Sequence, residues 1–148
     1  MTVELPSGTV TFLLTDVEGS TRLWERDEAP EARLAKLERV LDASHQPLAE
    51  VVPLLAQLLA VPLPEGRYAA LTLPPQQQRQ QTLDTLVAWL LAEAERQPVL
   101  AVYEDLHWAD PSTLELLGML LEQAPTVPML TVLTFRPMFV PPWPSRSH

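Results

Sequence analysis

The 148-residue sequence contains no cysteine, which excludes disulfides, thiolate zinc sites and cysteine nucleophiles. It has only four glycines beside 16 prolines, so the chain is poorly equipped for phosphate-binding loops, which need residues without a Cβ. Only ten Lys and Arg residues oppose 19 Asp and Glu, and a net charge of −9 without a basic cluster argues against binding to nucleic acid or an anionic membrane. No apolar run approaches about 20 residues and no basic, apolar leader begins the chain, so we expect no membrane span, no signal peptide and a cytoplasmic protein.

Two adjacent acidic residues follow a short apolar run in the second half of the chain. The β-favouring run from Val99 to Tyr103 predicts a strand of a parallel sheet, buried on both faces. Glu104 and Asp105 come directly after it, at the edge where ligands bind in open α/β sheets. Carboxylates there can hold Mg²⁺ and orient an attacking water. The alternative is a solvated turn into a helix that begins near residue 111 and is capped by Asp110 or Ser112.

The string LAVYEDLHWADPSTLELL (residues 100–117) closely resembles the Walker B segment of AAA-like ATPases of the signal-transducing STAND type, and TVLTFRPMFVPPWPSRSH (131–148) resembles the strand and loop that follow. The resemblance implies Mg²⁺ and ATP as cofactors. It implies that Glu104 lies at the Mg²⁺-associated position, that Asp105 polarises the attacking water and that Arg136 senses the γ-phosphate. Many relatives have Asp at the position of Glu104. From the residues alone, Arg136 can equally be an ordinary surface arginine.

A second acidic turn follows the N-terminal strand predicted from Thr9 to Thr15. The string LPSGTVTFLLTDVEGSTRLWE (5–25) resembles the opening of class III nucleotidyl cyclase domains. By this resemblance Asp16 is a metal ligand, Val17 offers its carbonyl, and the backbone of Gly19, Ser20 and Thr21 faces phosphates. The alternative is a helix cap at Asp16 or Ser20. Two-metal cyclase chemistry needs a second carboxylate from a Gly-Asp-Gly stretch. The chain has none, so we do not expect cyclase activity.

The remaining pattern is mostly helical. Apolar spacing predicts helices between Leu23 and Ala60, with Pro47 opening the second, and a long helix from Gln76 to Gln97. A proline-rich connection occupies residues 61–75, and a last strand is predicted from Val127 to Phe135 before an extended tail. For His107 a packing or turn role is favoured over catalysis, because no Ser or Cys nucleophile is arranged around it.

These patterns predict an α/β protein: a partial P-loop-NTPase-like parallel sheet with flanking helices, preceded by a cyclase-like strand and helices. We expect a truncated cyclase-like segment at residues 1–42 and a partial ATPase domain at 43–148, joined between Arg39 and Val51. No G-x-x-x-x-G-K-[ST] loop occurs. The predicted function is an ATP-binding, ATPase-derived regulatory module of a bacterial regulator, catalytically incomplete. The alternatives are a non-catalytic helical interaction module or a cyclase remnant. Unpaired sheet edges invite self-association or a partner protein.

Overall fold

A computed structural model describes the backbone of residues 11–14 and all of residues 29–144. The described elements combine helices with a small parallel sheet, which is compatible with the predicted α/β class at a coarse level. Two short 3₁₀ turns, Leu106–Trp108 and Ala124–Thr126, flank the last helix. The main elements in chain order are β1 (Thr11–Leu14), α1 (Pro30–Ala43), α2 (Leu48–Leu58), α3 (Pro75–Arg96), β2 (Val99–Tyr103), α4 (Pro111–Gln123) and β3 (Met129–Leu133).

The three strands form one parallel sheet in the order β1-β2-β3. Strand β2 lies in the middle and has the bounds that its sequence predicts, and every second residue along it is buried. Strand β1 pairs with β2 from Thr11 opposite Val99 to Leu14 opposite Val102. The N-terminal strand therefore lies beside the strand that leads to the acidic pair.

Strand β3 pairs with β2 along its whole length, and in the described part of the chain its other edge has no strand beside it. Its residues alternate between the two faces of the sheet. Leu130 is 64% exposed and Val132 is 38% exposed, whereas Thr131 and Leu133 are partly covered. One apolar face of β3 thus stays open to solvent, which is unusual for a parallel sheet because such sheets are normally covered on both faces.

The helices α1 and α2 pack on one another around a compact apolar cluster. Leucines spaced along α1 meet an almost continuous buried run in α2, and Val61 closes the cluster from the connection that follows. Pro53 lies inside α2 and lacks the N–H for one helical hydrogen bond, yet the helix continues to Leu58. Glu38 of α1 holds the connection in place, because it accepts hydrogen bonds of 2.7 Å from both the Arg67 guanidinium and the Tyr68 hydroxyl.

Both α1 and α2 end in a Schellman motif, and neither has glycine where this motif usually needs it. His45 (φ 55°) and Ala60 (φ 50°) take the left-handed backbone after the two helices. At the end of α2, the Val61 N–H donates to the Ala56 carbonyl at 2.8 Å, which is the six-residue bond of the motif. Because His45 and Ala60 have side chains where glycine is usual, the backbone is strained at both helix ends.

The chain divides into two compact units. One holds β1 and the elements from Glu93 onward, and the other holds α1, α2 and α3 as far as Ala92. Of the helices that the structure describes, none combines the length and the apolar character that crossing a membrane requires.

Candidate functional site

The acidic pair lies where the sequence predicts it, at the carboxyl end of the middle strand. Glu104 and Asp105 follow β2 directly, and both residues are exposed. Leu106 then turns inward, with only 2% of its surface exposed, and starts the 3₁₀ turn that leads to α4. The buried residues on either side of the pair, Tyr103 and Leu106, thus fix a short solvent-facing segment that carries two carboxylates.

Thr134, the first residue after β3, holds this segment. Its hydroxyl accepts a hydrogen bond of 3.2 Å from the Asp105 N–H, and its carbonyl accepts one of 3.0 Å from the Leu106 N–H. Its own N–H donates to the Tyr103 carbonyl at 2.9 Å. Three bonds from one residue fasten the acidic turn to the neighbouring strand. Thr134 was not predicted as a site residue, because it lies inside the strand that the sequence predicts from Val127 to Phe135.

Asp105 has a left-handed backbone, with φ 53° and ψ 38°. A residue with a Cβ pays steric strain in this region, although Asp and Asn tolerate it better than most. The Thr134 bonds and the burial of Leu106 enforce the conformation. The Asp105 side chain is 76% exposed. Strain held in place by surrounding structure, at a residue that presents an exposed carboxylate, is a feature that functional sites share.

His107 lies beneath this turn, and its side chain is only 11% exposed. Its Nδ1 lies 3.8 Å from the Asp105 Oδ1, which is too far for a hydrogen bond. Within the described part of the chain neither ring nitrogen has a hydrogen-bond partner. The imidazole instead packs against the Trp108 ring, with 5.2 Å between ring centroids. This geometry fits the packing role that the sequence favours.

Arg136 lies over the face of Trp108, with its guanidinium carbon 5.8 Å from the ring centroid. Trp108 is itself 77% exposed, so the pair stands in solvent beside the acidic turn. Among the residues that the structure describes, Arg136 forms no ion pair with Glu104 or Asp105. The structure brings Arg136 to the residues of the acidic turn through an aromatic contact that the sequence did not predict.

Asp110 caps α4, which decides between the two caps that the sequence left open. One of its carboxylate oxygens accepts from the Ser112 N–H at 2.7 Å and from the Thr113 N–H at 3.1 Å. The other accepts from the Thr113 hydroxyl at 2.8 Å. The Thr113 hydroxyl and the two amides stabilise the charged form and lower the pKa of Asp110 below its ordinary value. Asp110 thus serves the helix, and the exposed pair Glu104 and Asp105 is left as the candidate site.

The residues that the cyclase resemblance singles out are Asp16, Val17, Gly19, Ser20 and Thr21, and they lie outside the described residues. In the described part of the chain no group of three or more His, Cys, Asp or Glu side chains is placed to hold a metal ion. A metal at Glu104 and Asp105 would therefore need further oxygens from a ligand or from water.

No family model, no curated protein and no solved structure matches the chain. The family resemblances of the sequence therefore remain predictions.

Proposed function

We propose that the chain is a nucleotide-binding, ATPase-derived regulatory module whose ligand lies at the carboxyl end of β2. One observation carries the proposal: Glu104 and Asp105 are both exposed at the end of the middle strand of a parallel sheet. Ligands of open α/β sheets bind at this edge. The resemblance to STAND-type ATPases agrees with this placement. The proposal takes ATP as the ligand and the cytoplasm as the location of the protein.

The donor set fits Mg²⁺ only when a nucleotide is bound with it. Mg²⁺ takes one or two protein carboxylates together with phosphate oxygens and waters, in octahedral geometry. Glu104 and Asp105 can supply such carboxylate oxygens, whereas a nucleotide-free site would need ligands that the described residues do not provide. The bound ion would neutralise charge on the β- and γ-phosphates. In this proposal Glu104 holds the ion and Asp105 orients the attacking water, the role of a general base.

In this proposal Arg136 serves the γ-phosphate, because it follows β3, the neighbour of β2, by three residues and its guanidinium lies over Trp108 in the acidic turn. Leaving Trp108 costs little, since a cation–π contact at an exposed site is worth only about 0.5–1 kcal/mol. A charge-assisted hydrogen bond to phosphate is roughly twice as strong as a neutral one. A bound triphosphate would therefore draw Arg136 away from the indole.

The missing P-loop sets the expected strength of binding. Its amides and its lysine supply most of the triphosphate contacts in related enzymes, and this chain has no counterpart. We expect a dissociation constant for Mg·ATP no tighter than the millimolar range, about 4 kcal/mol of binding free energy. We therefore also expect slow turnover, which goes with a regulatory role in this proposal.

Titration of the full chain with a fluorescent ATP analogue, with and without Mg²⁺, tests the proposal. Glu104→Gln should weaken binding only when Mg²⁺ is present, because it removes a charge beside the ion. Asp105→Asn should preserve binding and abolish turnover. Asn tolerates the left-handed backbone as Asp does, but its amide cannot act as a base. Glu95→Gln, the same change of charge at an exposed position of α3, is the matched control. Micromolar binding that a Glu104→Gln/Asp105→Asn double variant leaves unchanged would place the nucleotide elsewhere.

A non-catalytic interaction module is the second candidate, and a specific observation favours it. Large apolar side chains are exposed on strand β3 and on the segment after it: Leu130 is 64%, Met138 94% and Val140 83% exposed. Such residues occur at protein interfaces when they are contiguous. The two candidates differ in the ATP titration, because an interaction module shows no Mg²⁺-dependent binding at any concentration.

A further inference from the structure

A groove along α4 forms a cavity of about 690 Å³ between α4, β3 and the segment that ends at Pro144. Residues one helical turn apart on α4 provide one wall, namely Leu114, Gly118 and Leu121. The partly covered face of β3 provides the floor with Leu133. The volume lies in the range of small-molecule sites, about 300–1,000 Å³.

Trp143 forms the opposite wall, and its indole lies over α4 at Gly118. A Cβ added at Gly118 would lie 3.9 Å from the Trp143 Cε3, so a small side chain would just touch the indole whereas a larger one would meet it. Prolines on both sides, Pro142 and Pro144, restrict the backbone that carries the indole. An aromatic face at the mouth of an apolar cavity attracts cations through its quadrupole.

The charges around the cavity have one sign. Glu115 and Glu122 line it, and among the described lining residues none is cationic. Both carboxylates lie on the same side of α4 as Leu114 and Leu121, so negative charge borders the apolar wall of the cavity. The cavity therefore disfavours a nucleotide or any other anion, and it is complementary to a molecule that joins an apolar body to a positive charge.

We propose that this cavity binds a small amphipathic organic cation, with the apolar body between Leu121 and Leu133 and the charge between Trp143 and Glu122. The site is separate from the acidic turn after β2, and it does not depend on nucleotide binding there. A regulatory module with two such sites would respond to two chemically different small molecules.

A pair of probes with the same shape and opposite charge tests the proposal on the full chain. Tetraphenylphosphonium should bind, and it should shift the amide resonances of Gly118 and Leu121 and the indole resonance of Trp143. Tetraphenylborate, which matches its size, should bind about tenfold more weakly or not at all. Equal binding of the two probes, or shifts confined to the exposed face of β3, would overturn the proposal.

Variants decide which residues hold the probe. Glu122→Gln should weaken tetraphenylphosphonium binding by about twofold to fivefold, whereas Glu95→Gln, the same change on α3, should leave it unchanged. Gly118→Leu should abolish binding, because the new side chain fills the cavity and meets the indole. If Gly118→Leu does not fold, Trp143→Ala serves instead, since its change lies outside every helix and strand. Full binding in the variant that folds would refute the assignment.

Discussion

Replacing Asp105 by Gly and by Ala measures the strain that the acidic turn stores. Both changes remove the carboxylate, so its loss cancels in the comparison. Ala must adopt the observed left-handed backbone of φ 53°, which costs an L-residue about 1–2 kcal/mol. Gly adopts it freely but gives up about 0.5–1 kcal/mol of chain entropy on folding. We therefore expect Asp105→Gly to be about 0.5–1 kcal/mol more stable to unfolding than Asp105→Ala.

Urea unfolding measures the difference, with stability taken from the midpoint and the slope of each transition. The matched control is the neighbouring residue, because Glu104 does not have a positive φ. At position 104 the Gly variant should be no more stable than the Ala variant, since Gly loses more conformational entropy than Ala on folding. If Ala were the more stable replacement at residue 105, or if both positions gave the same order, the left-handed turn would not exist in solution and the geometry of the candidate site would be wrong.

Two further predictions concern a helix end and a cap. Ala60→Gly should raise the free energy of unfolding by about 0.5–1 kcal/mol in urea melts, because Ala60 occupies the left-handed position after α2; no gain would contradict the Schellman motif. Asp110 has a lowered pKa in the folded chain, so its contribution to stability is present above pH 3.8 and is lost as the pH falls through the lowered pKa. In an NMR titration, Thr113→Val should raise the pKa of Asp110 towards 3.8, since the hydroxyl is the largest cause of the shift; an unchanged titration would refute that bond.

Local patterns predicted most of the elements. Strand β2 and helix α3 lie within one residue of their predicted bounds, because apolar spacing and the prolines at Pro75 and Pro98 act over a few residues. The predicted strand from Val127 to Phe135 is shorter in the structure, Met129–Leu133. At its start Val127 donates its N–H to Ala124 and Pro128 has no N–H, and at its end Thr134 bonds to the acidic turn. Element type follows from the sequence here, and exact ends follow from tertiary contacts.

The candidate site could be located from the sequence but not built from it. The acidic pair was found because carboxylates directly after a buried strand are a local pattern. The Thr134 bonds and the contact of Arg136 with Trp108 each join residues about 30 positions apart. Their geometry, and the left-handed backbone that the Thr134 bonds hold at Asp105, depend on how β3 lies beside β2. Sheet order was also out of reach, because nothing in the sequence near β1 states that it pairs with β2.

The parallel sheet has a consequence for the order of folding. Strand β1 is synthesised before α1, yet its hydrogen-bonding partner β2 begins only at Val99, after three helices have been made. The α1 and α2 cluster, in contrast, joins residues between Leu34 and Val61 and can form from neighbouring segments. Contacts between distant segments form late, because loop closure must come before they stabilise anything. During synthesis the helical unit is therefore expected to fold first. Strand β1 stays unpaired until β2 has been made, and in that interval a chaperone that binds extended apolar segments could bind it.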